Sequence, residues 1–374
     1  MKSSMKVLSL ILVLFCMNNS AALAATPGNG YLSIYPEHVQ VVDPDKRALH
    51  TLNHYPTLIV DHVSSVGYEV YGPKGLQQYL TSRGLTASIA TEDKITVADY
   101  PSNEKIVAKM VALQKAYPNL ITLTEIGKSV EGRSLVFARI SAPNDAGKPV
   151  ADRPEFKYIA NMHGDEIVGR DSMLLLIEDL ASHYGNDARI TQILNTTQVY
   201  ILPSMNPDGA FHKVRFNAHG VDLNRTFPDF ATSDNQNTWD HREPEIQAVA
   251  NFQAKHHFKL SANFHGGSQV VNYPWDTIKD LHPMDSLFKS LSLDYARRVP
   301  YLWNSSEFKN GVTNGYAWYE VDGGMQDWSC YYYKDLQVTI ELTYTKYPAY
   351  STVGKTYQDN RDALLAYIEN IQKI

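Results

Sequence analysis

From Tyr100 to Ile374 the chain switches repeatedly between a two-residue and a helical period. "SNEKIVAKMVALQKAY" opens on Ser102, a capping residue, and repeats its apolar positions at helical spacing. Two strand-like runs follow, "LITLTEIG" and "RSLVFARIS", parted by the turn-prone "KSVEG". Then come "EFKYIANM" as a strand, "DSMLLLIEDLASHY" as a helix and "TQVYILPSM" as a strand. "REPEIQAVANFQAKHH" reads as a helix, "KLSANFH" as a strand and "LFKSLSLDYARRV" as a helix. "LQVTIELTY" is a further strand, and "NRDALLAYIENIQKI" a closing helix. Strands alternating with crossover helices predict an α/β domain with a mixed, largely parallel central sheet flanked by helices. In such sheets functional groups gather past the C-terminal ends of the strands.

The N-terminal part reads differently. "MKSSMK" carries two lysines, "VLSLILVLFCM" is apolar, and "NNSAALA" ends on a small-residue cleavage pattern at Ala22-Leu23-Ala24. Residues 1–24 are therefore expected to be a secretory signal peptide, its apolar run being too short for a spanning helix. A lipid anchor at Cys16 is the rival reading, opposed by bulky Phe15 where a small residue is needed. Export to the periplasm or the extracellular space follows, without a stable membrane anchor. Residues 25–95 hold strand-like "TLIVDHV" and "YEVYG", helix-like "KGLQQYLTSRG" and then "LTASIA". They are expected to form a small β-α-β unit, either a propeptide or a permanent extension, ahead of a catalytic domain over residues 96–374.

Composition narrows the function little. The chain has 374 residues, 44% hydrophobic and 20% charged, as in an ordinary globular protein. A formal charge of −6 gives no reason to expect nucleic acid or an anionic membrane as partner. Loss of the leader removes Cys16 and leaves Cys330 alone, so no intrachain disulfide is expected. Cys330, in "WSCYYY", reads as a small buried hydrophobe.

Chemistry-bearing residues cluster at the strand ends. His163 and Glu166 follow "YIANM", His265 ends "KLSANF", and Glu341 lies in "VTIELTY". Taken alone, His163 and Glu166 admit three readings: two metal ligands, a ligand and a general base, or polar residues closing a strand. Three residues apart on a single turn, the two side chains can converge on one ion, with His265 as third ligand. Two His and one Glu with an open fourth position make a catalytic zinc site. "NPDG", from Asn206 to Gly209, is turn chemistry, and "NAHGVDLNRTFPD" sets Asn224 beside Arg225 in a stretch with no regular period.

The order and wording of "HGDE", "NPDG", "GVDLNRTFPD", "SANFHGGS", "NYPWD", "NGYAWYEVDGGMQDW" and "IELTY" resemble the zinc metallocarboxypeptidases of the A/B type, and more closely the branch of carboxypeptidases N, E, M and D. The blocks run through roughly Tyr100 to Ile374. This resemblance implies one zinc ion held by His163, Glu166 and His265, with peptide or protein C-termini as substrate. It implies that Glu341 is the general base and that Arg215 stabilises the oxyanion. Asn224 and Arg225 would clamp the substrate's terminal carboxylate, a task suited to a guanidinium, and Tyr319 would close over it. Asp222 would orient His163 from behind.

In this branch an acid beyond the second zinc His receives a C-terminal Arg or Lys. Asp276, eleven residues past His265, matches it, and Gln326 matches the family's pocket-floor position. The implied enzyme is a secreted carboxypeptidase that removes basic residues. Alternatives are a cell-wall muropeptide peptidase of the same fold, and an inactive binding homologue. Two departures stand out. The transthyretin-like domain usual after the catalytic domain in this branch is expected to be absent after "IENIQKI", and the usual "HGNE" is "HGDE", which sets Asp165 beside the expected ligands.

Overall fold

The structure, a computed structural model, describes residues 35–90, 100–144, 146 and 148–374. The expected signal peptide, including Cys16, lies outside the described residues. Contacts divide the chain into two units, with the break after Thr91.

In the N-terminal unit, β1 (Glu37–Val42), α1 (Leu49–Asn53), β2 (Ile59–Asp61), β3 (Gly67–Gly72), α2 (Leu76–Ser82) and β4 (Thr86–Ile89) follow in order. The strands form one antiparallel sheet, β2-β3-β1-β4. Val39 and Val41 of β1 alternate inward and are fully buried, as are Leu76 and Leu80 of α2 to within 2%. The expected β-α-β unit is thus incomplete as a description. "EHVQVV", a short alternating run, supplies a central strand, and β4 returns antiparallel beside it.

The second unit carries an eight-stranded sheet. Its strands are β5 (Ile121–Lys128), β6 (Ser134–Ile140), β7 (Glu155–Ala160), β8 (Gln198–Leu202), β9 (Phe258–His265), β10 (Val270–Tyr273), β11 (Val312–Asn314) and β12 (Leu336–Glu341). They lie in the order β11-β10-β12-β9-β7-β8-β6-β5. The central four, β12, β9, β7 and β8, are mutually parallel, while β10 and β6 flank them antiparallel. The mixed, largely parallel sheet read from the sequence is the one observed.

The helices of this unit are α3 (Asn103–Ala116), α4 (Val168–His183), α5 (Ala188–Thr196), α6 (Pro207–His212), α7 (Pro244–Gln253), α8 (Asp285–Ala296), α9 (Pro300–Trp303), α10 (Gly315–Trp318), α11 (Met325–Tyr333) and α12 (Val353–Glu369). Local chemistry starts several of them. Ser102 Oγ accepts from the Lys105 amide ahead of α3, the Asp187 carboxylate accepts two amides ahead of α5, and Pro244 opens α7.

Both faces of the sheet are covered. Ile106 and Met110 of α3, Leu176 and Ile177 of α4, Phe288 of α8 and Leu364 of α12 share one apolar core with Phe156, Tyr158, Leu260, Ala262 and Phe264. Ile246 and Val249 of α7 and Met325 and Trp328 of α11 share the other with Ile159 and Leu202. Because the central strands are parallel, their C-terminal ends lie at one edge, and that edge is where the chemistry gathers.

Candidate active site

His163 and Glu166 sit in the connection between β7 and α4, ahead of the helix and not on it. The expectation of a helical turn between them is corrected here, and the physical reason is local. Asn161 takes a left-handed φ of 58°, and its Nδ2 donates to the carbonyls of His163 (2.9 Å) and Gly164 (3.2 Å). The Glu166 amide donates to the His163 carbonyl at 3.3 Å, closing a tight turn. A Cβ on Gly164 would lie 2.0 Å from the carbonyl carbon of Gly209, so only glycine lets the turn settle on the start of α6. Asn206 pins both sides: its Oδ1 caps α6 through the Gly209 amide, and its Nδ2 reaches the Met162 and Arg215 carbonyls. "NPDG", legible as a turn, therefore also fits the His163 loop to the Arg215 loop.

Ligand atoms of His163, Glu166 and His265 lie within 4.8 Å of one another, and all three residues are buried. Glu166 Oε1 is 2.9 Å from His163 Nδ1, Oε2 is 2.8 Å from His265 Nδ1, and the two Nδ1 atoms are 3.0 Å apart. Behind His163, Asp222 Oδ1 lies 3.1 Å from Nε2 and accepts the Asn224 amide at 2.9 Å. A carboxylate only accepts, so His163 carries its proton on Nε2, which leaves the Nδ1 lone pair facing inward. Two imidazole nitrogens and a carboxylate then converge in a buried place, a donor set that repels itself without a cation. The residues fit a zinc ion.

Charges around the cluster support the same picture. Burial and Arg215 work to lower the pKa of His163, but Glu166 and Asp222 outweigh them and raise it. Glu166 is held well below the usual carboxylate range, because His163 and His265 overcome the cost of its burial. Asp222 is lowered too, Arg215 and His163 exceeding the effect of burial. Arg215 is 2% exposed, with Nε on Asp222 Oδ2 at 2.8 Å and Nη1 on Glu166 Oε1 at 3.5 Å. It thus lies against Glu166 of the buried cluster. Arg242, the other arginine nearby in sequence, bonds the Thr226 and Thr238 carbonyls and Asp234.

Glu341 ends β12 in register with His265 at the end of β9, and with Val270 of β10 on its other side. Asn224 and Arg225 form a short turn capped by Asp222. Asn224 Oδ1 accepts the Met325 amide at 3.0 Å, and Arg225 acts electrostatically on both Asp222 and Asp276. Tyr319 follows α10, half-buried, its ring 5.1 Å from that of Trp318.

Asp276 is 5% exposed, not a solvated loop acid. Its two oxygens accept from Asn272 Nδ2 and Gln326 Nε2, each at 3.0 Å. Burial pushes its pKa up to about 7, against the lowering effects of Asn272 and Arg225. Asp327 lies behind it and accepts the amides of Asp276 (2.8 Å) and Thr277 (3.0 Å). Burial and the charge of Asp276 raise Asp327 well above its ordinary value. A Cβ on Gly315 would stand 1.6 Å from Asp276 Oδ1 and 2.9 Å from Asn272 Oδ1, so glycine keeps the space over this carboxylate open. Sequence reasoning missed Asn272, Asp327 and Gly315, though all three lie in the quoted blocks "NYPWD" and "NGYAWYEVDGGMQDW".

Asp165 is half-buried, and the loss of solvent around its carboxylate raises its pKa to about 6. His282 Nε2 lies 3.4 Å from the Cys330 sulfur, and burial raises the pKa of that thiol. Cys330 is 2% exposed, the buried hydrophobe that its neighbours imply.

A mixed sheet that gathers two histidines and a glutamate at its C-terminal edge, over a buried arginine, defines a zinc hydrolase of the carboxypeptidase fold. Comparison agrees. Residues 106–363 match the zinc carboxypeptidase family, Peptidase_M14. Carboxypeptidase D of Drosophila melanogaster is 40% identical over 297 residues, covering 70% of this chain and 21% of that protein. The human carboxypeptidase N catalytic chain is 34% identical over 314 residues, covering 72% of this chain and 68% of that protein. In fold, the crystal structure of carboxypeptidase A from Helicoverpa armigera matches with a TM-score of 0.72 at 21% identity, over 89% of this chain and 96% of that one. The chain belongs to the zinc carboxypeptidase family, whose members use one catalytic zinc. It spans about a fifth of the length of its carboxypeptidase D relatives. Among the described residues no helix is long and apolar enough to cross a membrane.

Proposed function

We propose that this protein is an exported carboxypeptidase that removes C-terminal Arg or Lys from peptides. The observation that carries the basic preference is the set of oxygens around Asp276. Asn272 and Gln326 turn their NH₂ groups to the carboxylate, which leaves Asn272 Oδ1 and Gln326 Oε1 buried with no donor. A buried pocket of acceptors is completed by a ligand that brings several N–H groups and a positive charge. A neutral side chain would leave the carboxylate without a counter-charge and both amide oxygens without a donor.

The remaining roles are those that the family resemblance implies, and the positions of the residues support them. His163, Glu166 and His265 hold the zinc, which supplies Lewis-acid polarisation of a carbonyl and lowers the pKa of a water. Glu341, beside His265, takes a proton from the attacking water and returns it to the leaving amine. Arg215 stabilises the developing oxyanion; its tie to Asp222 fixes the guanidinium before substrate arrives. Asn224 and Arg225 bind the terminal α-carboxylate, and Tyr319 closes over it.

The test compares peptides ending in Arg, Lys and Phe with a muropeptide, each with and without a chelator. Cleavage of the Arg and Lys peptides, lost with the chelator, is the expected result. Equal cleavage of the Phe peptide would overturn the role of Asp276. Preferred cleavage of the muropeptide would make this a cell-wall enzyme instead.

A further inference from the structure

Strands β9 and β12 each have two unlike faces. Leu260, Ala262 and Phe264, with Leu336, Val338 and Ile340, point into the larger apolar core. The alternate residues are Ser261, Asn263 and His265 on β9, and Gln337, Thr339 and Glu341 on β12. They pair rung by rung: Ser261 with Gln337, Asn263 with Thr339, His265 with Glu341. Such alternation reads as a strand with one face in water, yet Ser261, Asn263, Gln337 and Thr339 are all buried, at 0%, 1%, 0% and 7% exposure.

The rungs are joined by side-chain hydrogen bonds. Thr339 Oγ1 donates to Asn263 Oδ1 at 3.3 Å, and Asn263 Nδ2 donates to Gln337 Oε1 at 3.1 Å. Gln337 Nε2 donates to Ser261 Oγ at 3.0 Å, and Ser261 donates to Asp335 at 2.8 Å. Asp335 closes the chain on Lys157 of β7, 2.9 Å away and 1% exposed, which also donates to Gln253 at 2.6 Å. One continuous ladder therefore runs from a buried ion pair to the rung directly beneath His265 and Glu341.

The apolar faces alone cannot set the register of these strands. A slip by one residue would bury the wrong face and is excluded. A slip by two keeps apolar against apolar, and would move Glu341 past His265 by about 7 Å. The polar rungs distinguish the registers, since each residue has a partner of matched donor and acceptor. A buried polar residue that specifies register is the best attested use of such groups.

We infer that the buried ladder Lys157–Asp335–Ser261–Gln337–Asn263–Thr339 positions the catalytic rung, holding Glu341 and His265 side by side. Its members are positioning residues that act through those two, and the inference rests on the roles proposed for them above.

The test uses Gln337→Met, which keeps volume and removes both bonds four residues away from Glu341. The partner variants are Thr339→Val and Thr339→Ser. Three quantities are read on folded, zinc-loaded full chain: kcat and KM, zinc affinity by chelator competition, and Tm. A misplaced rung is expected to lower kcat about 10- to 100-fold, with KM held within about twofold. Zinc affinity is expected to fall about 10-fold as His265 shifts, the scale of a lost supporting contact. Thr339→Ser, which keeps the hydroxyl, should restore both relative to Thr339→Val.

Unchanged kcat and zinc affinity with a lowered Tm would make the ladder a stability feature only and overturn the inference. A raised KM at constant kcat would overturn it as well. If Gln337→Met fails to fold, the Thr339 pair decides. Glu341→Gln, run in parallel, separates the two readings. Turnover retained there removes Glu341 as base, while weaker zinc binding in the ladder variants still upholds the ladder.

Discussion

Glu341 and His265, far apart in the sequence, are register partners at the ends of two parallel strands, β12 and β9. This adjacency places Glu341 beside the group of His163, Glu166 and His265 that could hold a metal, in the position proposed for a general base. Glu341→Gln is expected to reduce kcat by about 10²- to 10⁴-fold, the usual contribution of a general base. Bound zinc, measured by metal analysis after gel filtration, should stay at the wild-type level. Activity within about tenfold of wild type, below that usual contribution, would remove Glu341 from the mechanism.

Asp222 holds His163 from behind while it holds Arg215 from the side. Asp222→Asn keeps the shape but can present its NH₂ to His163, which disturbs the tautomer. Zinc affinity is expected to weaken about 10- to 100-fold. Chelation of the wild-type protein should abolish activity and lower Tm, since a ligand bound only by the folded state stabilises it, and added zinc should reverse both.

Asp276→Asn should reduce kcat/KM for peptides ending in Arg by about two orders of magnitude or more, as the unpaired cation of the substrate would then be buried. The Phe peptide should be cut no more slowly than by wild type. Gly315→Ala fills the space over the same carboxylate and is expected to act in the same direction. The ratio of the two kcat/KM values is the measurement, because it cancels losses common to both substrates.

The pH dependence follows from burial of Asp276, whose pKa is pushed up to about 7. Binding of a basic side chain requires the carboxylate, so KM for Arg peptides should fall as pH rises through about 7. For stability the sign is opposite. The folded protein keeps a proton that the unfolded chain releases from its ordinary value of 3.8 upward. Stability contributed by this group is therefore lost as pH rises from about 4 to about 7. Asp276→Asn should flatten that slope in denaturant titrations taken across the window, and an unchanged slope would assign it to other groups.

Gly164→Ala places a methyl group 2.0 Å from the backbone of Gly209, where neither chain can yield cheaply. A stability loss of about 3 kcal/mol, the upper end of ordinary overpacking, is expected from denaturant midpoints. Because the same turn carries His163 and Glu166, zinc affinity should fall with it.

Much of this is legible in the chain. Alternation and helical spacing mark strands β5 to β9 and β12 and the long helices α3, α4, α7, α8 and α12, because burial of one face or stripe leaves a period in the residues. The shorter β10, β11, α5, α6, α9, α10 and α11 go unread. "EHVQVV" is not read as a strand, although it alternates and is as long as β7 and β12. The turn of Asn161 is also hidden, since a left-handed backbone at one asparagine leaves no periodic trace. The site residues are legible through their blocks, with His163, Glu166 and His265 brought together as expected and Asp276 buried beside Gln326.

By itself, the sequence determined which groups are present and on which strand ends they stand: a His after β7, a His at the end of β9, a Glu at the end of β12. Tertiary structure alone decided what surrounds them. Asp276 became an acceptor pocket only when Asn272 and Gln326, from separate elements, turned their amides to it. The alternating polar face of β9 became a buried ladder only when β12 and α11 covered it. The physical reason is the same in both cases: hydrogen-bond partners and desolvation are set by neighbours distant in sequence, and no local pattern encodes them.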